Sequence, residues 1–324
     1  MDHPVVSIII PVFNIEPFIE ECIESCLNQK FTDFELIIVN DGSTDGTKEK
    51  LMHFESNDSR VKIINKENEG VNFARKTGIE SATGEYIFFL DGDDYIPQST
   101  LQSLIENAST SHADIIAGDV LIHELNGETT YRYYNKFNNE TGISFLAFIL
   151  QNKLHYLWGK LIKRSLFVEN DILFRRELVI GEDQVQLYQL CMYAKKVAVV
   201  KGIVYHYRKN NMSASQKSSA TSFVKNQETY AICIRELQEK FNYNRFIQQQ
   251  LNFRIIFALI QSAYRNNKKY HDKRVVSRLL KKAIIEGVFK QPSLLNGSSA
   301  IIFKGIVTYI SPSLTYTLRK VLRK

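Results

Sequence analysis

Three carboxylates stand within four positions, Asp91-Gly92-Asp93-Asp94, at the end of the apolar run Ile87-Phe88-Phe89-Leu90. Four apolar residues in a row read as a buried strand. Carboxylates this close repel one another and lose hydration when buried, so a cation should sit beside them. A hard divalent ion such as Mg2+ or Mn2+ takes oxygen ligands, and Mg2+ typically uses one or two carboxylates together with substrate phosphates. Gly92 allows a sharp turn and a close backbone approach to a ligand. Asp-x-Asp spacing also occurs in plain acidic loops, so the surrounding chain has to decide between the two.

The elements around this cluster alternate. Residues 5–10 are a β-branched run stopped by Pro11, which predicts a strand followed by a turn at Pro11-Val12-Phe13-Asn14. Phe18, Ile19, Cys22, Ile23, Cys26 and Leu27 then recur at helical spacing. A second strand over 34–39 ends in Asn40-Asp41-Gly42-Ser43-Thr44-Asp45-Gly46, where Thr44 or Asp45 can cap a helix over 47–56. A strand at 61–64, a helix at 72–81, the apolar strand itself and a helix at 98–108 follow. This alternation predicts an α/β fold with a mostly parallel sheet covered by helices. Ligands bind such sheets at the carboxyl ends of the strands. The polar clusters at 11–14, 40–45 and 91–94 should therefore share one crevice. No GxGxxG follows the first strand and no P-loop is present, so a dehydrogenase-type dinucleotide site is not expected.

Further on, 113–120 reads as a strand, 121–134 as a hairpin about Asn126-Gly127, and 143–151 as a helix. Residues 185–193 read as an apolar helix, and 197–200 and 203–207 as two short strands. From about Ser218 the pattern changes to long helices with basic faces at 223–241, 245–265 and 271–288. A polar break at 293–299, an apolar stretch at 300–310 and a basic end with Arg319, Lys320, Arg323 and Lys324 close the chain.

With 324 residues and 44% hydrophobic content, the chain can bury a sizeable core as one large domain with an appendage. The net charge of +6 conceals an asymmetry. Residues 201–324 carry 23 Lys and Arg against 5 Asp and Glu, whereas residues 1–200 carry 18 against 30. An acidic first part and a basic tail indicate two tasks. Cys22, Cys26, Cys191 and Cys233 have neither CxxC nor metal spacing and read as structural thiols in a reducing compartment. No basic segment followed by an apolar run opens the chain, and no stretch reaches about 18 uninterrupted apolar residues, so neither a secretory signal nor a transmembrane helix is expected.

Several segments, taken together and in order, resemble the inverting family two glycosyltransferases of bacterial polysaccharide biosynthesis, which have the GT-A fold. They are Pro11-Val12-Phe13-Asn14, Val39 to Thr47, Asn68-Glu69-Gly70-Val71-Asn72-Phe73-Ala74-Arg75, Thr83-Gly84-Glu85-Tyr86 leading into Leu90 to Asp94, Trp158-Gly159-Lys160-Leu161, and Gly181-Glu182-Asp183. Each motif alone is weak, but six in this order and spacing are specific. The resemblance covers about residues 4–215. It implies a GT-A, Rossmann-like domain over 1–217, with a nucleotide half at about 1–110 and an acceptor half at about 111–217. The basic helical extension at 218–324 lies outside it.

By position, the resemblance implies that Pro11, Phe13, Asn14 and Asp41 line the base end of a UDP-sugar, with Asp41 accepting from uracil N3–H. Arg75 would support the nucleobase or diphosphate as a fixed cation. Asp91 and Gly92 would contact the nucleotide sugar, Asp93 would ligate Mn2+ or Mg2+, and Asp91 could share that ion. His206 would be a third metal ligand, and Arg208 and Ser213 would close over the diphosphate from a loop. Trp158, Lys160 and Glu182 would face the acceptor, and Asp183 would be the general base. Read without the resemblance, Asp183 is equally a cap for the helix near Val185, Glu182 is an alternative acid, Asp41 a turn residue and Trp158 a core residue.

The implied activity is inverting transfer of a hexosyl or N-acetylhexosaminyl group from a UDP-sugar to a saccharide hydroxyl, with a lipid-linked precursor of capsule, O-antigen or exopolysaccharide as acceptor. A sugar-nucleotide nucleotidyltransferase and a non-catalytic sugar-nucleotide binder are the alternatives. The first usually opens with a Gly-rich basic loop after strand one, and Pro11 to Asn14 is not one. Basic helices followed by a short apolar stretch suit an anionic membrane surface at the cytoplasmic inner face of the cell membrane, with a homo-oligomer contact as the other use. Nucleic acid is not expected, since no recognition module accompanies the charge.

Overall fold

Six apolar residues and Ser7, from Val6 to Val12, form the strand β1, and all seven are buried. In the computed structural model, which describes residues 3–134, 137–138, 140–210 and 220–265, β1 pairs in parallel with β2 (Phe34–Asp41) on one edge and with β4 (Tyr86–Phe89) on the other. On its far side β2 pairs with β3 (Val61–Lys66), also in parallel. The helices α1 (Ile19–Leu27), α2 (Thr47–Asn57), α3 (Val71–Ser81) and α4 (Thr100–Ser111) connect these strands and β5 (Ile115–His123). Ile19, Cys22, Ile23 and Cys26, the apolar positions of α1, are wholly buried, as their spacing along one helical face requires.

The expected stop at Pro11 is corrected. Pro11 lies within β1, opposite Val39. The carbonyls of Val5 and Ile9 accept bonds from the β4 side, so the backbone N–H and C=O groups of odd-numbered residues of β1 face that way. Pairing with β4 ends at Ile9 opposite Phe89. Pro11 therefore sits where the neighbouring strand has already stopped, and its missing N–H costs no ladder bond.

The remainder of the sheet is mixed. The hairpin β5–β6 (Thr129–Arg132) forms around Gly127, whose φ is 83°. After α5 (Gly142–Asn152), β7 (Lys160–Lys163) inserts antiparallel between β4 and β5. The short α6 (Ser165–Val168) and α7 (Glu182–Tyr193) lead to β8 (Val197–Arg208), which runs parallel to β5. The two short strands expected at 197–207 are thus one strand with register shifts opposite Ala117–Val120.

Two compact units result, Met1–Leu146 with Leu154–Gln216, and Ala147–Lys153 with Lys217–Lys324. The second contains α8 (Ala220–Lys240) and α9 (Arg245–Arg265), which pack together with Ile234, Leu237, Ile247 and Leu251 buried. Gln238 Nε2 donates across to Gln248 Oε1 (2.6 Å) and Asn252 Oδ1 (3.1 Å). No described helix is long and apolar enough to cross a membrane. The expected helix at 271–288 and the segments at 293–324 lie outside the described residues.

Candidate active site

The acidic cluster after β4 is a turn held from β8. The Asp94 N–H donates to the Asp91 carbonyl (3.0 Å), closing the turn. Asp94 is 0% exposed and accepts from the Tyr205 hydroxyl (2.8 Å) and the Arg208 N–H (2.7 Å). The same Tyr205 oxygen accepts from the Asp91 N–H (3.1 Å). Arg208 Nε donates to the Asp93 carbonyl (2.7 Å), and Asn210 Nδ2 donates to Asp93 Oδ2 (2.7 Å). Burial, followed by the charges of Asp93 and Asp91, pushes the Asp94 carboxyl well up. Burial and Asp91 raise Asp93, against the pull of Asn210 and Arg208.

Arg75 of α3 joins this turn to the start of α7. It is 3% exposed, and its guanidinium reaches Asp91 Oδ1 (2.8 Å) on one side and Glu182 Oε1 (2.9 Å) on the other. Burial works against its charge, but Asp91, Glu182 and Asp183 more than offset that, so its pKa rises. Gly181, at φ 89°, turns the chain into α7 through the left-handed region that favours glycine. Asp183 then falls inside the first turn of the helix rather than capping it, with Oδ1 accepting from the Gln184 N–H (2.8 Å). Asp183 is half-buried. Burial and the adjacent Glu182 push its carboxyl up to about 7, with Arg75 pulling it back. A carboxylate at that value is poised to accept a proton near neutral pH. Glu182, expected on the acceptor side, is instead buried and committed to Arg75.

The ends of β1 and β2 interlock beside this turn. Asn14, at φ 51°, accepts from the Thr44 N–H (2.7 Å) while its own N–H donates to Ser43 Oγ (3.1 Å). Asp41 is buried, and its carboxylate folds the loop before α3. Its Oδ1 accepts from the Glu69 N–H (3.0 Å) and Lys66 Nζ (3.3 Å), and its Oδ2 from the Gly70 N–H (2.7 Å). Phe13 is 47% exposed at the mouth of these loops. Gly92 owes its identity to packing. A Cβ there would lie 2.2 Å from Ile15 Cδ1 and 3.0 Å from Val12 Cγ1.

Three expectations on the other side are corrected. Lys160 is 0% exposed, so it cannot face an acceptor. Trp158 is 5% exposed, stacked between Tyr156 (4.2 Å) and Tyr205 (4.5 Å), with Tyr207 at 5.3 Å. His206 points to the opposite side of β8 from Tyr205 and Tyr207, as strand alternation requires. There it stacks on Tyr95 (4.5 Å) and its Nδ1 bonds His123 Nε2 (2.9 Å). Burial, His123 and Arg208 lower its pKa to about 4. Among the described residues no three His, Cys, Asp or Glu side chains gather to hold a metal ion, so His206 does not complete a set with Asp91 and Asp93. Ser213 lies outside the described residues. Tyr205 and Asn210 went unnoticed in the sequence. The Tyr205-His206-Tyr207-Arg208 run was the signal that side chains of β8 could reach the turn.

Known proteins resemble this chain in sequence and in fold. The family described as Glycosyl transferase family 2 matches residues 7–169, a span that holds Asp41, Arg75, Asp91 and Asp93 and stops short of Asp183. The chain is 34% identical over 218 residues to the uncharacterized glycosyltransferase EpsJ of Bacillus subtilis, covering 66% of this chain and 63% of that one. It is 30% identical to the uncharacterized glycosyltransferase YibD of Escherichia coli, over 74% of this chain and 71% of the relative. Among solved structures, residues 1–349 of S. aureus TarS in complex with UDP align with a TM-score of 0.64 at 20% identity, over 88% of this chain and 89% of that one, and the same fragment is also solved with UDP-GlcNAc. Fold, motif order and matched span agree, and the chain belongs to glycosyl transferase family 2.

Proposed function

We propose that this protein transfers a sugar from a UDP-sugar to a saccharide hydroxyl with inversion, using Asp183 as general base. The observation that carries this reading is the Arg75 bridge, which ties Asp91 of the acidic turn to Glu182, the neighbour of Asp183. Leaving-group chemistry and proton acceptance are thereby held on opposite arms of one guanidinium. Phe13 offers an exposed ring to a base, and Asp41 keeps lone pairs beyond its loop contacts for a donor such as uracil N3–H. The UDP and UDP-GlcNAc complexes of the similar TarS fold favour a uridine nucleotide.

Asp91 and Asp93 suit a divalent cation. The charge of Asp91 raises Asp93, a repulsion that a bound cation relieves, and Mg2+ typically needs only one or two carboxylates when phosphates complete its shell. When bound, such an ion stabilises the charge developing on the leaving diphosphate. The residues of this chain do the rest. Arg75 and Arg208 fix the turn, with Tyr207 half-buried beside it in the field of Asp94, Asp93 and Asp91. Asp183 accepts the proton of the attacking hydroxyl. A single base suffices, because direct displacement forms no covalent intermediate.

The acceptor we propose is a lipid-linked saccharide at an anionic membrane surface, on the strength of the basic charge in residues 201–324. The deciding experiment is UDP release from a panel of UDP-sugars with Mn2+, Mg2+ or chelator, alongside thermal shift with UDP. UDP with Mn2+ should raise Tm, UDP with chelator far less, and Asp93→Asn should abolish the difference. Equal protection with and without chelator, or by NAD, would overturn the reading.

A further inference from the structure

Among the described residues, Lys160 is the one buried cation that the proposed chemistry does not use. Its ammonium is sealed in by uncharged partners: the Tyr134 hydroxyl (2.9 Å), the Tyr156 carbonyl (2.6 Å) and the Trp158 carbonyl (3.4 Å). The Tyr134 ring also lies beneath it, 5.1 Å from Nζ to centroid. Burying an ammonium among neutral groups is unfavourable, because it gives up its hydration without gaining an opposite charge. Methionine or leucine would fill the space without that cost. Stability alone therefore does not account for a lysine here.

What the ammonium holds is the backbone of the aromatic stack. Tyr156 and Trp158 contribute both the two carbonyls it gathers and two of the stacked rings. The Trp158 ring lies 4.5 Å from that of Tyr205, and the Tyr205 hydroxyl sets the Asp91 N–H and the Asp94 carboxylate. A continuous path of contacts thus runs from Lys160 to the acidic turn. We infer that Lys160 is a positioning residue that, through the Trp158–Tyr205 stack, sets the conformation of the Asp91–Asp94 turn. The consequence for nucleotide binding rests on the function proposed above, whereas the coupling of Lys160 to Trp158 does not.

Burial lowers the Lys160 pKa to about 7, with Cys191 and Asp183 of α7 acting to raise it. Tyr134 faces it from the segment before α5, and burial pushes its hydroxyl well up, so it stays neutral there. Burial holds the Cys191 thiol neutral by pushing it up to about 12, so of the two groups acting on Lys160, Asp183 is the one that titrates near neutrality. Trp158 is the only tryptophan of the chain, so its emission reports this stack without labelling.

The test is fluorescence of the full chain between pH 5.5 and 8.5. Wild-type emission should shift to longer wavelength as the pH rises through about 7. Lys160→Met should show the shifted spectrum and stronger acrylamide quenching at every pH. Tyr134→Phe, which removes one acceptor and keeps the ring, should move the midpoint to lower pH. Asp183→Asn should still titrate. If Lys160→Met folds with a single cooperative transition and has wild-type emission, the inference fails. It fails equally if Asp183→Asn abolishes the titration, or if Lys160→Met does not fold and Tyr134→Phe leaves the midpoint unmoved. In the same samples, Lys160→Met should weaken binding of UDP with Mn2+ about tenfold, the loss of roughly one hydrogen bond's worth of order at the turn. If wild type binds no UDP at all, the functional reading falls, and the emission data still decide the role of Lys160.

Discussion

The pH profile of turnover is where the site's electrostatics become measurable. Asp183 is pushed up to about 7, by burial first and by Glu182 second. At pH 6 about a tenth of the enzyme then holds the base ionised, and at pH 8 about nine tenths, so kcat/KM should rise close to tenfold between them. Glu182→Gln removes the negative neighbour and leaves Arg75 with less to neutralise. Both effects favour the ionised form of Asp183, so the midpoint should move down by about one unit, and the rate ratio between pH 8 and pH 6 should fall to about twofold. Lys160 titrates in the same range, but Glu182 is not among the groups acting on it, so comparing wild type with Glu182→Gln isolates Asp183. Asp183→Asn should lose about 10²–10⁴-fold and show no rise. The assay is UDP release at subsaturating donor across pH 5.5–8.5. A flat wild-type profile, or a midpoint that moves to higher pH in Glu182→Gln, would refute the assignment.

Two further outcomes concern the Arg75 bridge and the basic segment. Arg75→Met leaves Glu182 buried without its cation and should cost about 3–5 kcal/mol in denaturant unfolding, with much of that recovered in the double variant carrying Glu182→Gln; a loss under about 1 kcal/mol would show that the bridge is not structural. The full chain should sediment with vesicles containing phosphatidylglycerol, be released by salt, and ignore phosphatidylcholine vesicles; binding indifferent to lipid charge would contradict an electrostatic contact by the basic segment.

Much of the architecture could be read before any coordinates. Strand–helix alternation over the first 110 residues carries the parallel half of the sheet, because hydrophobic period and strand-ending polar clusters are local properties of a chain. The same local logic located the acidic turn, which packs beside the end of β1. It failed at Pro11, where the missing N–H is harmless only because β4 ends two residues earlier, a fact that belongs to a different strand. It failed again at Lys160 and His206, whose residue types advertise chemistry and whose surroundings withdraw it.

Composition and spacing therefore determined the fold class, the order of the motifs and which carboxylates stand at strand ends. The tertiary structure alone decided which of those groups meet. Asp91 and Glu182 are 91 positions apart, and only the folding of α3 between them lets one guanidinium reach both. Tyr205 and Arg208 both reach the acidic turn, from opposite faces of β8, while His206 between them is taken up by Tyr95 and His123. Side-chain direction and burial depend on neighbours distant in sequence, and the chemistry of a carboxylate or an amine depends on both.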